Sequence, residues 1–393
     1  MLDKQDPMNH WNEKSIALHQ KKQGKLAIRS KVPLKTIADL SLAYTPGVGA
    51  VASYVSQHKE SLYDYTMKGN TVAIVSDGTA VLGLGPIGPE GALPVMEGKA
   101  ILLKAFANFN AFPLCVNLKT VDEIVNFCKA IEVNFGAIML EDIAAPDCVT
   151  IERRLQNELQ VPVFHDDQHG TAIVVSAALF NVSKLLKKPL SELKVILSGT
   201  CAAGSSIARM LHAIGITSIV AYNKQGVVKQ EKYHTYDFVI RELLDEGILE
   251  SPSCNDFESL FEGRDVFIGV SAPGIVTQAM IAKMSPNPVI FAMANPTPEI
   301  DPLLAKQAHA FIVGTGRSDY PNQINNVLVF PGLMKGTLQA KAKQITMNMK
   351  IAAAKALANV IKEEELTPDY IIPSPFDHRI SSFVAKAVKK ACK

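Results

Sequence analysis

Short, continuous apolar runs alternate along this chain with segments of helical spacing, and the alternation occurs in two series. In the first, Thr71–Val75, Ala137–Leu140 and Val161–Phe164 read as buried strands, and Val121–Ile131, Ile151–Leu159 and Gly170–Leu186 as helices. The stretch Lys187–Glu192 interrupts the pattern. A second series then places strands at Leu193–Leu197, Ser218–Ala221, Val266–Val270, Val289–Ala292 and Ala310–Val313, with helices at Ala203–Ile214 and Thr277–Met284. Unbroken apolar strands separated by helices require a mostly parallel sheet covered on both faces. From Gly336 the spacing is helical, through Ala340–Ile361 and Ile380–Lys390. The expected fold is therefore α/β with two domains. An N-terminal α/β domain covers 1–187 and a C-terminal, doubly wound Rossmann-like parallel sheet covers 188–335. A helical tail, 336–393, is expected to pack on the first domain, and the polar opening to about Pro33 to be peripheral.

Composition removes several classes of function. The 393 residues suit two domains. A formal net charge of +2 with no basic block gives no footprint for nucleic acid or a membrane surface. The longest apolar stretch, around Ala172–Phe180, is far shorter than the ~20 residues that span a bilayer. Met1–Glu13 is polar and mixed in charge, unlike a secretory signal. The six cysteines, at 115, 128, 148, 201, 254 and 392, form no C-x-x-C pair. That pattern fits reduced thiols and a cytoplasmic setting.

Several motifs fall where strands should end. Gly199-Thr-Cys201-Ala202-Ala203-Gly204 follows one strand and opens a helix. A dinucleotide pyrophosphate binds at such a helix N-terminus, and the same turn also serves as a tight strand–helix junction with no ligand. Asn223, 24 residues after Gly199 (223 minus 199), stands where an acid would bind the ribose. Glu141 and Asp142 follow a second strand, and Asp166 and Asp167 a third. If those strands are neighbours, four carboxylates converge, and a hard divalent cation such as Mg²⁺ or Mn²⁺ would relieve their repulsion. The other reading is that they cap the next helices. His165 and His169 have the spacing of a helical zinc pair, but so acidic a strand end argues against a helix there, which leaves them structural. Lys99 precedes an apolar run, so burial that lowers its pKa could make it a base, or it could snorkel from a helix face. Tyr44, before Thr-Pro-Gly, could donate a proton or simply pack. Ser271-Ala-Pro-Gly, Ala294-Asn295-Pro and Asn325-Asn326 could line a nicotinamide pocket, although Asn is also a common turn former.

Taken together, Ser41–Val48, Gly69–Gly85, Pro94–Leu103, Leu140–Ile143, Val161–Thr171, Ser271–Gly274, Ile290–Pro298 and Gly314–Gly332 resemble the malic enzyme family in its short bacterial form, without the acyltransferase-like domain of longer members. The most specific stretches are Val163–Ala172 and Thr315–Asn326. The resemblance implies oxidative decarboxylation of L-malate to pyruvate and CO₂, by way of oxaloacetate, with reduction of NAD or NADP. It makes the first domain the substrate and metal domain, with Glu141, Asp142 and Asp167 as metal ligands. It makes Lys99 the general base, oriented by Asp166, and Tyr44 the general acid. It sets Asn295 and Asn326 near substrate and nicotinamide, and Gly199, Cys201, Ala202, Ala203, Gly204, Asn223 and Ser271 along the cofactor. Thr79 stands where larger relatives carry an Arg for a malate carboxylate. Cys201 replaces the usual middle glycine and Asn223 the usual Asp, which leaves the choice between NAD and NADP open. A homodimer is the expected assembly. Two other readings are an oxaloacetate decarboxylase on the same scaffold and a non-catalytic metabolite-binding protein.

Overall fold

The computed structural model describes residues 7–81 and 83–392, so the chain's first six residues, position 82 and the last residue of the tail lie outside the described residues. An N-terminal arm carries α1 (Pro7–Lys22), α2 (Ile37–Ala43) and α3 (Val48–Gln57), and the short α4 (Leu62–Tyr65) leads into the first sheet. The first sheet contains β1 (Thr71–Ser76), β2 (Asn110–Cys115), β3 (Ala137–Leu140) and β4 (Val163–His165), in the order β2-β1-β3-β4 and all parallel. Its connections are α5 (Gly88–Ala107), α6 (Val121–Ile131) and α7 (Asp147–Glu158), and α8 (Asp166–Leu186) leads out of β4.

The second sheet is built from β5 (Lys194–Ser198), β6 (Ser218–Asn223), β7 (Gly226–Val227), β8 (Val266–Gly269), β9 (Val289–Ala292) and β10 (Ile312–Thr315). Their order, β10-β9-β8-β5-β6-β7, is that of the doubly wound dinucleotide fold, with β7 alone antiparallel. Helices α9 (Ala202–Ala213), α10 (Phe238–Asp245), α11 (Gln278–Ala282) and α12 (Pro302–Gln307) lie along it. Then come α13 (Phe330–Gln339), α14 (Met347–Ala358) and α15 (Arg379–Ala391). α13 packs on α5, α14 on α8, and α15 on both α13 and α14.

The two sheets share one apolar core. It runs from Val72, Ile74 and Met139 through Ile173, Val174 and Ala177 of α8 into Val195, Leu197 and Ile268. α8 packs against α9 on one side and α14 on another. The helix is 21 residues long and apolar enough to cross a membrane by length and composition, but its apolar surface is buried inside the protein.

Two expectations are corrected. α8 begins at Asp166, so the acidic strand end does run straight into a helix. His165 is its N-cap, and its Nδ1 accepts the Gln168 amide. Carboxylates in a first helical turn are favoured by the helix dipole, which outweighs the turn-forming tendency of Asp. The tail is not one helix over 340–361, because Thr346 caps a new helix at the Met349 amide. β2 is a strand despite Pro113, because it lies at the sheet edge, where a missing N–H is tolerated.

At the switch point of the second sheet, where β5 and β8 lie side by side, the backbone is too close for side chains. A Cβ on Gly204 would sit 1.9 Å from the Gly199 carbonyl oxygen. Gly204→Ala must therefore push α9 away from the turn, and backbone cannot yield as a flexible side chain would. The expected result is a fall in Tm of about 5 °C or more in a thermal melt; an unchanged Tm would contradict this packing.

Candidate active site

The carboxyl ends of β1, β3 and β4 carry the acidic residues, and these strands are neighbours. Leu140 and His165 are paired across β3 and β4, so the residues after each strand emerge together. Glu141 leaves β3 with its amide bonded to the Val75 carbonyl at 3.0 Å. Asp142 follows with φ 53°, a left-handed conformation in which Asp is among the more tolerated residues. Its N–H donates to Asp167 Oδ2 at 2.8 Å, and its carbonyl accepts the Ala80 amide at 3.0 Å. One ligand oxygen each from Glu141, Asp142 and Asp167 lies within 4.8 Å of the others. Three converging carboxylates, two of them buried, fit a hard divalent cation, whose charge and oxygen preference match that donor set.

Lys99 reaches into this cluster from α5. Its ammonium is 2.5 Å from Asp166 Oδ2 and 3.2 Å from Glu141 Oε1, and stands over the Phe330 ring at 4.9 Å. Burial by itself would push the Lys99 pKa down, but Asp166, Glu141 and Asp167 outweigh it and hold the pKa well above the ordinary lysine value. The expectation that burial alone would free this amine is therefore corrected. Burial raises Glu141 well above the usual carboxylate range despite Lys99, and burial raises Asp166 as well.

Neighbouring groups frame the cluster. The Thr79 hydroxyl donates to Asp77 Oδ1 at 2.7 Å and accepts the Ala144 amide at 2.9 Å, so it stitches the loop after β1 to the loop after β3. Gly170 has no Cβ because Asp166 and Asn326 occupy that space; a Cβ there would lie 2.1 Å from Asp166 Oδ1 and 2.9 Å from the Asn326 Cβ. Asn326 is thus placed beside Asp166. Asn295 lies against the other sheet's loops, and a Cβ on Gly83 would meet its carbonyl oxygen at 2.2 Å. Tyr44 ends α2 and is 66% exposed. Among the described residues, no hydrogen bond, ion pair or ring contact joins its side chain to Lys99.

A second candidate region lies at the switch point of the larger sheet. Gly199 has φ +98°, and a Cβ there would lie 2.6 Å from the Val270 carbonyl oxygen. Cys201 is the N-cap of α9 and makes no side-chain cap bond, so it leaves the first amides of this twelve-residue helix, at Ala202 and Ala203, uncapped. Such a terminus favours an anion, so the turn fits a pyrophosphate. The Cys201 side chain is exposed and does not fill the turn. Asn223 ends β6 and donates to Thr200 Oγ1 at 3.1 Å, next to that turn. The Ser271 hydroxyl lies 2.8 Å from that of Ser198 at the end of β5.

Sequence reasoning missed Glu152. It is buried on α7, where its carboxylate accepts the His165 amide at 3.0 Å and contacts His169 Nε2 at 2.8 Å. His169 Nδ1 in turn lies 2.9 Å from Ser206 Oγ on α9, so both histidines are structural groups. The available signal was a charge at position 152 between Cys148, Ile151 and Leu155, on the apolar face of a helix. Burial would raise the Glu152 pKa, but His169 and Lys350 outweigh it and hold the pKa down at about 2.

Comparison with known proteins gives the family. Residues 23–156 match the family model "Malic enzyme, N-terminal domain", and residues 168–393 match "Malic enzyme, NAD binding domain". The chain is 50% identical to the bifunctional malic/malolactic enzyme of Bacillus subtilis, over 96% of this chain and 92% of that protein. It is 40% identical to the NADP-dependent malic enzyme of Salmonella typhimurium, over 94% of this chain and 50% of that longer protein. The crystal structure of the NAD-dependent malic enzyme of Thermotoga maritima superposes with a TM-score of 0.91 at 47% identity, covering 95% of this chain and 98% of that one.

The depressed Glu152 pKa has a consequence for stability. Its contribution is fully present above the unfolded value of 4.5 and is lost as pH falls toward about 2. The stability gap between the parent and Glu152→Gln in denaturant melts should therefore be wide at pH 7 and narrower at pH 3.5. A gap that does not change with pH would contradict the assignment. With two matched domain models, the buried acid cluster and the doubly wound sheet in agreement, the chain belongs to the malic enzyme family.

Proposed function

We propose that the chain oxidatively decarboxylates L-malate to pyruvate and CO₂, with reduction of NAD⁺ or NADP⁺. The observation that carries this reading is the Lys99 ammonium, 2.5 Å from Asp166 and beside three carboxylates gathered within 4.8 Å. Glu141, Asp142 and Asp167 would hold Mg²⁺ or Mn²⁺, and the Gly199–Gly204 turn with Asn223 and Ser271 would hold the dinucleotide. When bound, the cation supplies Lewis-acid polarisation of substrate oxygens, and the dinucleotide supplies the two-electron acceptor.

The chain's own residues move the protons. Lys99 takes the proton from the malate C2 hydroxyl, and Asp166 orients the amine and steadies the ammonium that results. A cation held by Glu141 and Asp167 would remove two of the three carboxylate fields that raise the Lys99 pKa, leaving Asp166 as its partner. Tyr44 returns a proton to C3 after CO₂ departs. Asn326, beside Asp166, and Asn295 bind the substrate and nicotinamide amide groups. Thr79 acts by holding the two loops together, since its hydroxyl is already engaged.

The arm that carries Tyr44 exposes Ile37, Leu40, Leu42, Val48, Val51 and Tyr54, a face suited to a second copy in a homodimer. All six cysteines are free, which supports a cytoplasmic setting. The left-handed C-cap of α8 at Lys187 supports a division between residues 187 and 188. The match of residues 168–393 to a malic enzyme NAD-binding domain favours this reading over an oxaloacetate decarboxylase or a metabolite-binding protein.

The test is malate-dependent reduction of NAD⁺ and NADP⁺, with Mn²⁺ or with chelator. Activity should require the metal. Lys99→Ala should lose about 10²-fold or more, as expected for a positioned base. Asp142→Asn, which keeps a residue suited to φ 53°, should raise the Mn²⁺ requirement while the fold persists. Strong activity in chelator would overturn the metal assignment, and a near-native Lys99→Ala would overturn the base.

A further inference from the structure

Glu299 is fully buried, and neither the sequence motifs nor the proposed mechanism uses it. It lies three residues beyond Pro296, in the segment between β9 and α12. Its Oε1 accepts the Ser271 amide at 2.8 Å and its Oε2 accepts the Ala294 amide at 3.1 Å. The Ser271 hydroxyl approaches Oε1 at 3.4 Å and is held by Ser198 at the end of β5. One carboxylate therefore spans the loops that leave β8 and β9, and Ser271 links it to β5.

The backbone reinforces the grip. The Gly274 amide donates to the Pro298 carbonyl at 3.1 Å, and the Val276 amide to the Glu299 carbonyl at 3.0 Å. The sheet also makes room for this side chain, since a Cβ on Gly269 would lie 2.4 Å from the Glu299 Cδ. Among the described residues Glu299 forms no ion pair; burial pushes the carboxyl up and backbone N–H groups pull against it. Burying a carboxylate without a counter-charge is costly, and the geometry provides amide donors for both oxygens.

We propose that Glu299 is the positioning residue of the dinucleotide site, where it holds the Ser271–Gly274 and Ala294–Pro296 loops in the register that the nicotinamide half needs. The inference rests on the reading of this sheet edge as the dinucleotide site. No neutral side chain can replace the carboxylate. A glutamine would turn an NH₂ toward one of the two amide donors, so one loop would lose its anchor while the core stayed filled.

The test is calorimetric titration of NAD⁺ and NADP⁺ into the full chain, with Mn²⁺ titrated separately. Glu299→Gln should raise the dinucleotide Kd about tenfold or more, the size of one lost hydrogen bond to a charged group. Its Mn²⁺ Kd should stay within about twofold of the parent, since that site lies on the other sheet. KM for the dinucleotide should rise more than kcat falls. Glu299→Asp keeps the charge on a shorter reach and should recover part of the affinity; it is also read in the same way if Glu299→Gln does not fold. A dinucleotide Kd within about twofold of the parent would overturn the proposal, and so would equal loss of dinucleotide and Mn²⁺ binding. If the parent chain itself bound neither dinucleotide, the functional reading underneath would fail, which separates the two failures.

Discussion

Lys99 and Asp166 face each other at 2.5 Å in a largely buried region, and the rest of the acid cluster is arranged around that pair. Either charge buried alone would cost several kcal/mol. Together they leave Glu141, Asp142 and Asp167 as a surplus of carboxyl groups on one side. The surplus is divided by helical geometry. Asp166 and Asp167 are the first two residues of α8, so their side chains diverge by about 100° around the axis. The first is turned into the core onto Lys99 and the second toward the Asp142 amide. Two consecutive and chemically identical residues thereby face different partners, Asp166 the proposed base and Asp167 the group proposed to hold the cation.

The same helix joins the two halves of the molecule. α8 leaves the acid cluster, crosses the shared core and packs on α9, whose N-terminus forms the proposed pyrophosphate site. Glu152, His169 and Ser206 form a polar chain across this junction. On the open side the contact is made through missing side chains. Gly83 lies under the Asn295 carbonyl, and Gly170 admits Asn326 beside Asp166. The loop after β9 and the segment around Asn326 thus come close to the loops of the first sheet.

Much of this was legible in the sequence, for physical reasons. Val121–Ile131 and Ala137–Leu140 were found to the residue, because each combines a clean period with a sharp boundary. Strand order cannot be read from periodicity, yet the acidic pairs could be located at strand ends, and pairing β3 with β4 then brings them together. The start of α8 was misplaced because Asp was read as a helix breaker, when at a first turn it is a stabiliser. The raised pKa of Lys99 is not legible, because only the fold brings the three carboxylates to it. Glu152 had a faint signal in its position on an apolar face. Glu299 had none, because its partners are backbone amides on two loops that only the folded sheet brings side by side.

The central claim is that the carboxylates divide, with Asp166 serving Lys99 and Glu141, Asp142 and Asp167 serving a divalent cation. The most direct measurement is an anomalous difference map, collected at the manganese absorption edge from crystals grown with Mn²⁺. The account predicts one strong peak per chain, within about 2.0–2.5 Å of an oxygen from each of Glu141, Asp142 and Asp167, with Asp166 still bonded to Lys99. A peak bound through Asp166, with Lys99 displaced, would contradict it.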